Sequence, residues 1–332
     1  MNNWAPVTMS AVSSNSDYID GRLQVRTIAF QSGQEICRGV HYRPSIGLMN
    51  THEQQPCVIL AHGFGGTVES GLHAYGKAFS DAGLHAVIFD YRHFGSSDGE
   101  PRQYLSLKLQ LQDWHAAIAF ARKQPSIDAT RIALWGVSLS GGLVIDVAAE
   151  DEDIRGVIAE FPMLDGFAAL MNIYHYAGIS QILKLLGAGC RDAVNRLCGG
   201  RPFTIPIVGL PGELAALATA DAESGYRWIA PSTWRNEICA AIALAIPFYR
   251  PGLRLEHIRA PILIQIADHD TILPVESIER FVNKSSASLR VEHYPSGHFD
   301  AFSGVMFESA VSDQIQFLMS HLYGRNHENE PT

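Results

Sequence analysis

A chain of 332 residues, 47% of them hydrophobic, can fill a substantial core as one large domain carrying an insertion or as two smaller ones. Its formal net charge of −9, with no run of Lys or Arg, leaves no electrostatic footprint for a phosphate backbone and argues against nucleic acid as a partner. The five cysteines, Cys37, Cys57, Cys190, Cys198 and Cys239, are widely spaced with no C-x-x-C pair, so they read as ordinary buried thiols in a reducing, cytoplasmic setting.

Residues 1–16 carry neither a basic n-region nor an apolar h-region, so the first 20 residues are expected to form a flexible tail rather than a secretory signal. Strand-like runs at 25–30 and 36–42, split by Ser32-Gly33, suggest an opening hairpin. Apolar, strand-length runs follow at 58–61, 86–90, 132–135 and 156–160, separated by helical periodicity near 70–82, 105–123 and 140–149. This alternation implies an α/β fold with a mostly parallel sheet covered by helices on both faces.

After Pro162 the rhythm changes. Residues 163–250 show helical periodicity with Gly and Pro breaks and no convincing strand, which points to a helical cap inserted after the sixth strand. The longest apolar run, 238–249, is interrupted by Pro247 and falls short of the ~20 residues a membrane span requires. Strands are expected again at 261–267 and 289–294, with helices at 275–282 and 305–322. The core thus divides into 21–162 and 251–322, an eight-stranded sheet in all, and 323–332 is expected to form a second flexible tail.

The pattern G-x-S-x-G has one perfect match, at Gly95-Ser96-Ser97-Asp98-Gly99, but its physical content is a sharp turn from strand to helix that exposes a serine between small residues. Ser97 runs into the turn-rich Asp98-Gly99-Glu100-Pro101, whereas Ser138 directly follows the apolar strand 132–135 and opens a helix, with Gly136, Gly141 and Gly142 around it. Ser138 is therefore the expected nucleophile, and Ser140 the expected helix cap. A serine hydroxyl requires a base within reach and a group that orients the base. Downstream, one strand ends in Asp268-His269-Asp270 and another in Pro295-Ser296-Gly297-His298, which supplies a carboxylate and an imidazole in the order Ser, Asp, His.

With these residues the sequence resembles the α/β-hydrolase family from about residue 25 to 322, nearest to its bacterial branch of dienelactone hydrolases and X-Pro peptidase-like esterases. His62-Gly63-Phe64-Gly65-Gly66 stands where that family builds half of its oxyanion hole, and Asp90-Tyr91-Arg92-His93-Phe94-Gly95-Ser96-Ser97-Asp98-Gly99 resembles its structural D-Y-R-x-x-G-x-S-x-G loop. The resemblance implies Ser138 as nucleophile, His298 as base, and Asp270, spaced D-x-x-x-P from Pro274, as acid. Asp268 is the alternative acid and His293 the alternative base. The backbone N–H groups of Phe64 and Leu139 are then the oxyanion donors, while His62 and His269 are expected to be structural.

The cap leans apolar through Phe167, Leu170, Met171, Ile173, Tyr174, Ile182, Leu183, Leu185, Leu186, Trp228 and Trp234, a stripe that reads first as cap core. A roof of this kind would leave an apolar pocket, with Phe161, Met163, Tyr226 and Trp228 as its expected substrate contacts. Glu160 is expected to face that pocket and to pair with an Arg or a substrate amine. The expected function is hydrolysis of a carboxylic ester or thioester with an apolar acyl group on a small molecule. The alternatives are an acyltransferase or cyclase of a polyketide-like pathway and a non-enzymatic binding protein. No cofactor and no metal are implied.

Overall fold

The structure, a computed structural model, describes residues 18–20, 23–44 and 54–324. A nine-stranded sheet runs in the order β1-β2-β3-β5-β4-β6-β7-β10-β11. It consists of β1 (Tyr18–Asp20), β2 (Leu23–Ser32), β3 (Glu35–Arg43), β4 (Gln55–Ala61), β5 (His85–Phe89), β6 (Ile127–Val137), β7 (Ile154–Glu160), β10 (Ile262–Ala267) and β11 (Leu289–Tyr294). The first four strands in that order pair antiparallel and the rest are parallel. Eight of these strands are those the sequence leads one to expect; the ninth, β1, falls within the span expected to be an N-terminal tail. The remainder of that tail, and 325–332 of the C-terminal one, lie outside the described residues.

Both faces of the parallel strands are buried, which is why β4, β5 and β10 are buried at every position and mostly apolar rather than alternating, with Gln55, His85 and Gln265 as their polar members. On one face, α1 (Leu72–Asp81) and α8 (Gly304–Leu322) pack Leu72, Tyr75, Phe79, Phe317 and Leu318 against Val58, Leu60, Ala133 and Trp135. On the other, α2 (Leu107–Arg122) and α3 (Leu139–Glu150) bring Trp114, Ile118, Leu143 and Val147 onto Ile59, Val87, Leu134 and Val157. Alternate residues of one strand thus feed two separate cores.

Strands β7 and β10 are neighbours in the sheet, although about a hundred residues separate them in the chain. The excursion between them is closed at its neck by Gly166 N–H donating to the Tyr249 carbonyl (2.8 Å), Gly252 N–H to Leu164 (3.0 Å) and an Arg250–Asp165 ion pair (2.9 Å). It contains α4 (Gly166–Leu197), capped by Asp165 and kinked at Gly178 (φ 74°, ψ 179°), then α5 (Ala222–Ile229) and α6 (Ile242–Ala245). Contrary to the expectation of helix alone, two-residue strands β8 (Thr204–Ile205) and β9 (Ile238–Cys239) pair antiparallel here, and Cys239 N–H donates to the Gln103 carbonyl (2.9 Å). The α7 helix (Val275–Val282) completes the core. All five cysteines are free, but Cys190 and Cys198 are exposed rather than buried, because they lie on outward positions near the end of α4. Among the described residues, no helix is long and apolar enough to cross a membrane.

Candidate active site

Strand β6 passes into α3 through Ser138, whose backbone (φ 57°, ψ −120°) lies where non-glycine residues are strained. The turn is held because Ser138 N–H donates to the Glu160 carbonyl (2.9 Å) and its own carbonyl accepts from Met163 N–H (2.9 Å). Glycine is required at 136, where a Cβ would collide with the carbonyl of Ser140, and Gly63 packs closely too, since a Cβ there would come within 3.1 Å of the Ser138 Cβ. The strained turn holds Ser138 Oγ against His298.

The ends of β10 and β11 supply the partners. His298 Nε2 lies 3.1 Å from Ser138 Oγ, and His298 Nδ1 lies 2.6 Å from Asp270 Oδ2. The imidazole and carboxylate are almost fully buried, 6% and 2% exposed. Asp270 Oδ1 accepts the N–H groups of Ile272 and Leu273, both at 2.8 Å, which aims its other oxygen at the ring. The alternative carboxylate and imidazole pair with one another instead: Asp268 Oδ1 meets His293 Nδ1 at 2.7 Å, and both side chains are about 40% exposed. Their register explains the sorting, since His293 is within β11 beside Ile266 and five residues before His298, which lies on the turn beyond the strand.

Two backbone donors flank Ser138. Leu139 is the first residue of α3, so its N–H has no intrahelical acceptor, and neither it nor the Phe64 N–H donates to any acceptor among the described residues.

A cavity of about 110 Å³ reaches Ser138 from the side of the insertion. Leu170, Ile173, Ile182, Leu185 and Leu186 line it together with Met163. Five of the eleven residues of the apolar stripe, expected as cap core, thus form cavity wall, whereas Phe167, Tyr174 and Leu183 of the same stripe are 53%, 45% and 60% exposed. A second, smaller pocket of about 30 Å³ lies on the other side of Ser138 and is the one bordered by His298. Phe64, Ser138 and Leu217 border both.

The quorum-quenching protein AidA of Acinetobacter baumannii is 36% identical to this chain over 293 residues, covering 88% of this chain and 93% of that protein. A family model described as Hydrolase_4, serine aminopeptidase, S33, matches residues 52–197. The chain belongs to the α/β-hydrolase family. This hydrolase is also 26% identical to the thiohydrolase aneE of Aspergillus aculeatus over 281 residues, 81% of this chain and 87% of that one. The crystal structure of the α/β-hydrolase GrgF from Penicillium superposes with a TM-score of 0.76 at 22% identity, covering 90% of this chain and 99% of that chain.

Several residues of the hydrolase are placed otherwise than the sequence suggests. Phe161 is fully buried and packs beside Ala267, Tyr294, Ala301 and Ala310, because its positive φ of 44° turns the chain as it leaves β7; it lines neither cavity. Trp228 is 59% exposed, since α5 buries Ala222 and Tyr226 four residues apart and position 228 falls on its opposite face. Met163 does line the large cavity, and Tyr226 borders the small pocket. Ser140 does not cap α3: its hydroxyl is fully buried 2.8 Å from that of Tyr91. Ser97, in the perfect text match, donates to the Asp90 carbonyl (2.6 Å) and accepts from Arg38 N–H (2.8 Å), so its oxygen is engaged in holding a loop.

Glu160 faces neither the cavity nor an arginine. Its side chain projects into the layer between the sheet and helices α1 and α8, where Oε1 lies 2.9 Å from the Tyr75 hydroxyl and 3.2 Å from Gln314 Nε2, while Oε2 has no partner. Burial without a countercharge pushes its carboxyl up to about 8. His62 has Nδ1 2.9 Å from the Gly63 carbonyl, and burial lowers its proton affinity, which keeps the ring neutral with Nδ1–H as donor. His269 is exposed, and its N–H joins the two site loops by donating to the Ser296 carbonyl (3.0 Å). Asn172 of α4, which sequence reasoning missed, donates from Nδ2 to the Thr271 and Ile272 carbonyls (2.8 and 3.0 Å) and ties the insertion to the Asp270 loop. Among the described residues, no group of three or more His, Cys, Asp or Glu side chains is arranged to hold a metal ion.

Proposed function

We propose that this enzyme cleaves carboxylic esters or thioesters of apolar acyl groups, with Ser138 as nucleophile, His298 as general base and Asp270 as the group that orients it. The observation that carries this reading is the buried imidazole that bridges Ser138 Oγ (3.1 Å) and Asp270 (2.6 Å), with Ser138 itself lining an apolar cavity. With Asp270 accepting from Nδ1–H, the Nε2 lone pair faces the serine proton.

Ser138 Oγ bonds to the acyl carbon as its proton passes to His298 Nε2, and the carbonyl oxygen, now negative, is met by the N–H groups of Phe64 and Leu139. Collapse of the adduct breaks the C–O or C–S bond, and the leaving alcohol or thiol takes the proton from His298. Water, activated by the same nitrogen, then releases the acid. The leaving group must come within reach of His298, so it occupies the small pocket of about 30 Å³ and the acyl chain the cavity of about 110 Å³. The insertion acts as a lid over residues 163–250, and its aliphatic side chains favour a hydrocarbon chain over a charged one. A relative named a thiohydrolase supports the thioester arm of the reading. The compartment consistent with free thiols is the cytoplasm.

The test is turnover of acyl esters and thioesters of rising chain length, with Ser138→Ala as the blank. Loss of at least ~10³-fold of the activity in that variant is expected. Residual turnover near the wild-type level would overturn the assignment. Formation of a new ester when a small alcohol is added, in place of free acid, would reassign the same acyl-enzyme to acyl transfer.

A further inference from the structure

The loop that follows β4 is held by side chains at three successive carbonyls, and two of them come from the insertion. His62 Nδ1–H donates to Gly63 O (2.9 Å), the Tyr226 hydroxyl donates to Phe64 O (2.7 Å), and Trp234 Nε1–H donates to Gly65 O (2.9 Å). A peptide is planar and trans, so anchoring the carbonyl of one residue sets the direction of the N–H of the next. The Gly63 carbonyl therefore aims the Phe64 N–H, and the two bonds that follow stop the rest of the loop from rotating and taking that peptide with it.

The two anchors from the insertion are themselves braced. The Tyr226 and Trp234 rings stack with centroids 4.6 Å apart at 17°, and Tyr226 packs edge-on against Phe299 at 5.8 Å, which packs edge-on against the His298 ring at 5.3 Å. Tyr226 thus touches both the loop that carries Phe64 and the turn that carries His298. Polar groups of this kind, fixed before the reaction, stabilise a developing charge without having to reorganise.

We propose that Tyr226 and Trp234 are positioning residues for the oxyanion hole, so that the hole is fully formed only when the insertion is seated on the sheet. This rests on the assignment of the Phe64 N–H as an oxyanion donor. Tyr226 therefore acts through the backbone, and its contribution appears in the transition state rather than in substrate affinity.

The experiment compares wild type, Tyr226→Phe and Trp234→Phe in three readouts. The first is labelling of Ser138 by a fluorophosphonate, the second is kcat and KM on a medium-chain acyl ester, and the third is the affinity of a trifluoromethyl ketone bearing the same chain. Tyr226→Phe removes one oxygen and leaves the ring stack in place, so its unfolding temperature should permit assay well below the transition. Its kcat is expected to fall about tenfold, the size of one lost hydrogen bond, with KM within about twofold and ketone affinity weakened in step with kcat. Trp234→Phe should act in the same direction, and it provides a second reading if either variant is unstable. An unchanged kcat, a rise in KM alone, or a ketone that binds all three proteins equally would overturn the proposal. Failure of wild type to be labelled would instead remove the underlying serine mechanism, a separate outcome.

Discussion

Replacement of Glu160 by Gln should change the pH dependence of stability in a defined direction. In the folded protein the carboxyl is fully buried, has one oxygen without a partner, and holds its proton up to about 8, against an ordinary 4.5. Between those two values the folded state binds more protons than the unfolded one, so the contribution is fully present below pH 4.5 and is lost as the pH rises to about 8. At about 1.4 kcal/mol per pH unit, the loss between pH 4.5 and 7 amounts to about 3 kcal/mol. Gln keeps an acceptor for Tyr75 and Gln314 but has no proton to release. Its new N–H would lack an acceptor, at a cost of about 1–3 kcal/mol that does not vary with pH. The prediction therefore concerns the slope: urea unfolding followed by tryptophan fluorescence at pH 5, 6, 7 and 8 should show the variant gaining on wild type by about 3–4 kcal/mol across the series. All other titrating groups are common to the two proteins and cancel. Parallel stability curves would refute the reasoning.

Two further outcomes follow from the way the structure pairs its titratable groups. Asp270→Asn should reduce kcat by as much as ~10⁴-fold, because the amide selects the wrong imidazole tautomer, whereas Asp268→Asn should change it by less than about threefold; steady-state kinetics on one ester decides, and equal effects would contradict the pairing. The buried pair His41 Nε2···His85 Nδ1, at 2.9 Å, is held neutral, burial lowering His85 to about 4 and His41 further still. Stability from this pair is present above pH 6.5 and lost as the pH falls toward 4, by up to about 3 kcal/mol for His85 alone. His85→Gln, which cannot take up that proton, should flatten the fall of the urea midpoint between pH 6.5 and 4.5; an identical fall in both proteins would count against it.

Much of the architecture is legible along the chain because it is encoded locally. A run of β-branched residues buried on both faces forms a strand wherever it occurs, and the small residues around Ser138 mark a strand-to-helix turn without reference to anything distant. The same locality explains why the G-x-S-x-G text match at Ser97 misleads: the letters agree, but no helix follows directly, and the hydroxyl is engaged by Asp90 and Arg38. Cap residues were the least legible. An amphipathic stripe on a helix states that one face is covered, not whether a neighbour or a cavity covers it.

The sequence by itself determined the order of strands and helices, the strained turn at Ser138 and the delivery of a carboxylate and an imidazole at strand ends. It also named the loop at Gly63-Phe64-Gly65. Only the tertiary structure decided that Asp270 rather than Asp268 meets His298, that the side chain of Glu160 points beneath the sheet to Tyr75 and Gln314, and that Tyr226 and Trp234 reach back more than 160 residues to the Phe64 loop. The physical reason is one of range. Backbone conformation follows from neighbours within a turn or two, whereas the partner of a side chain depends on how rigid elements far apart in sequence are set against one another, and a register change of two residues in β10 would exchange one carboxylate for the other.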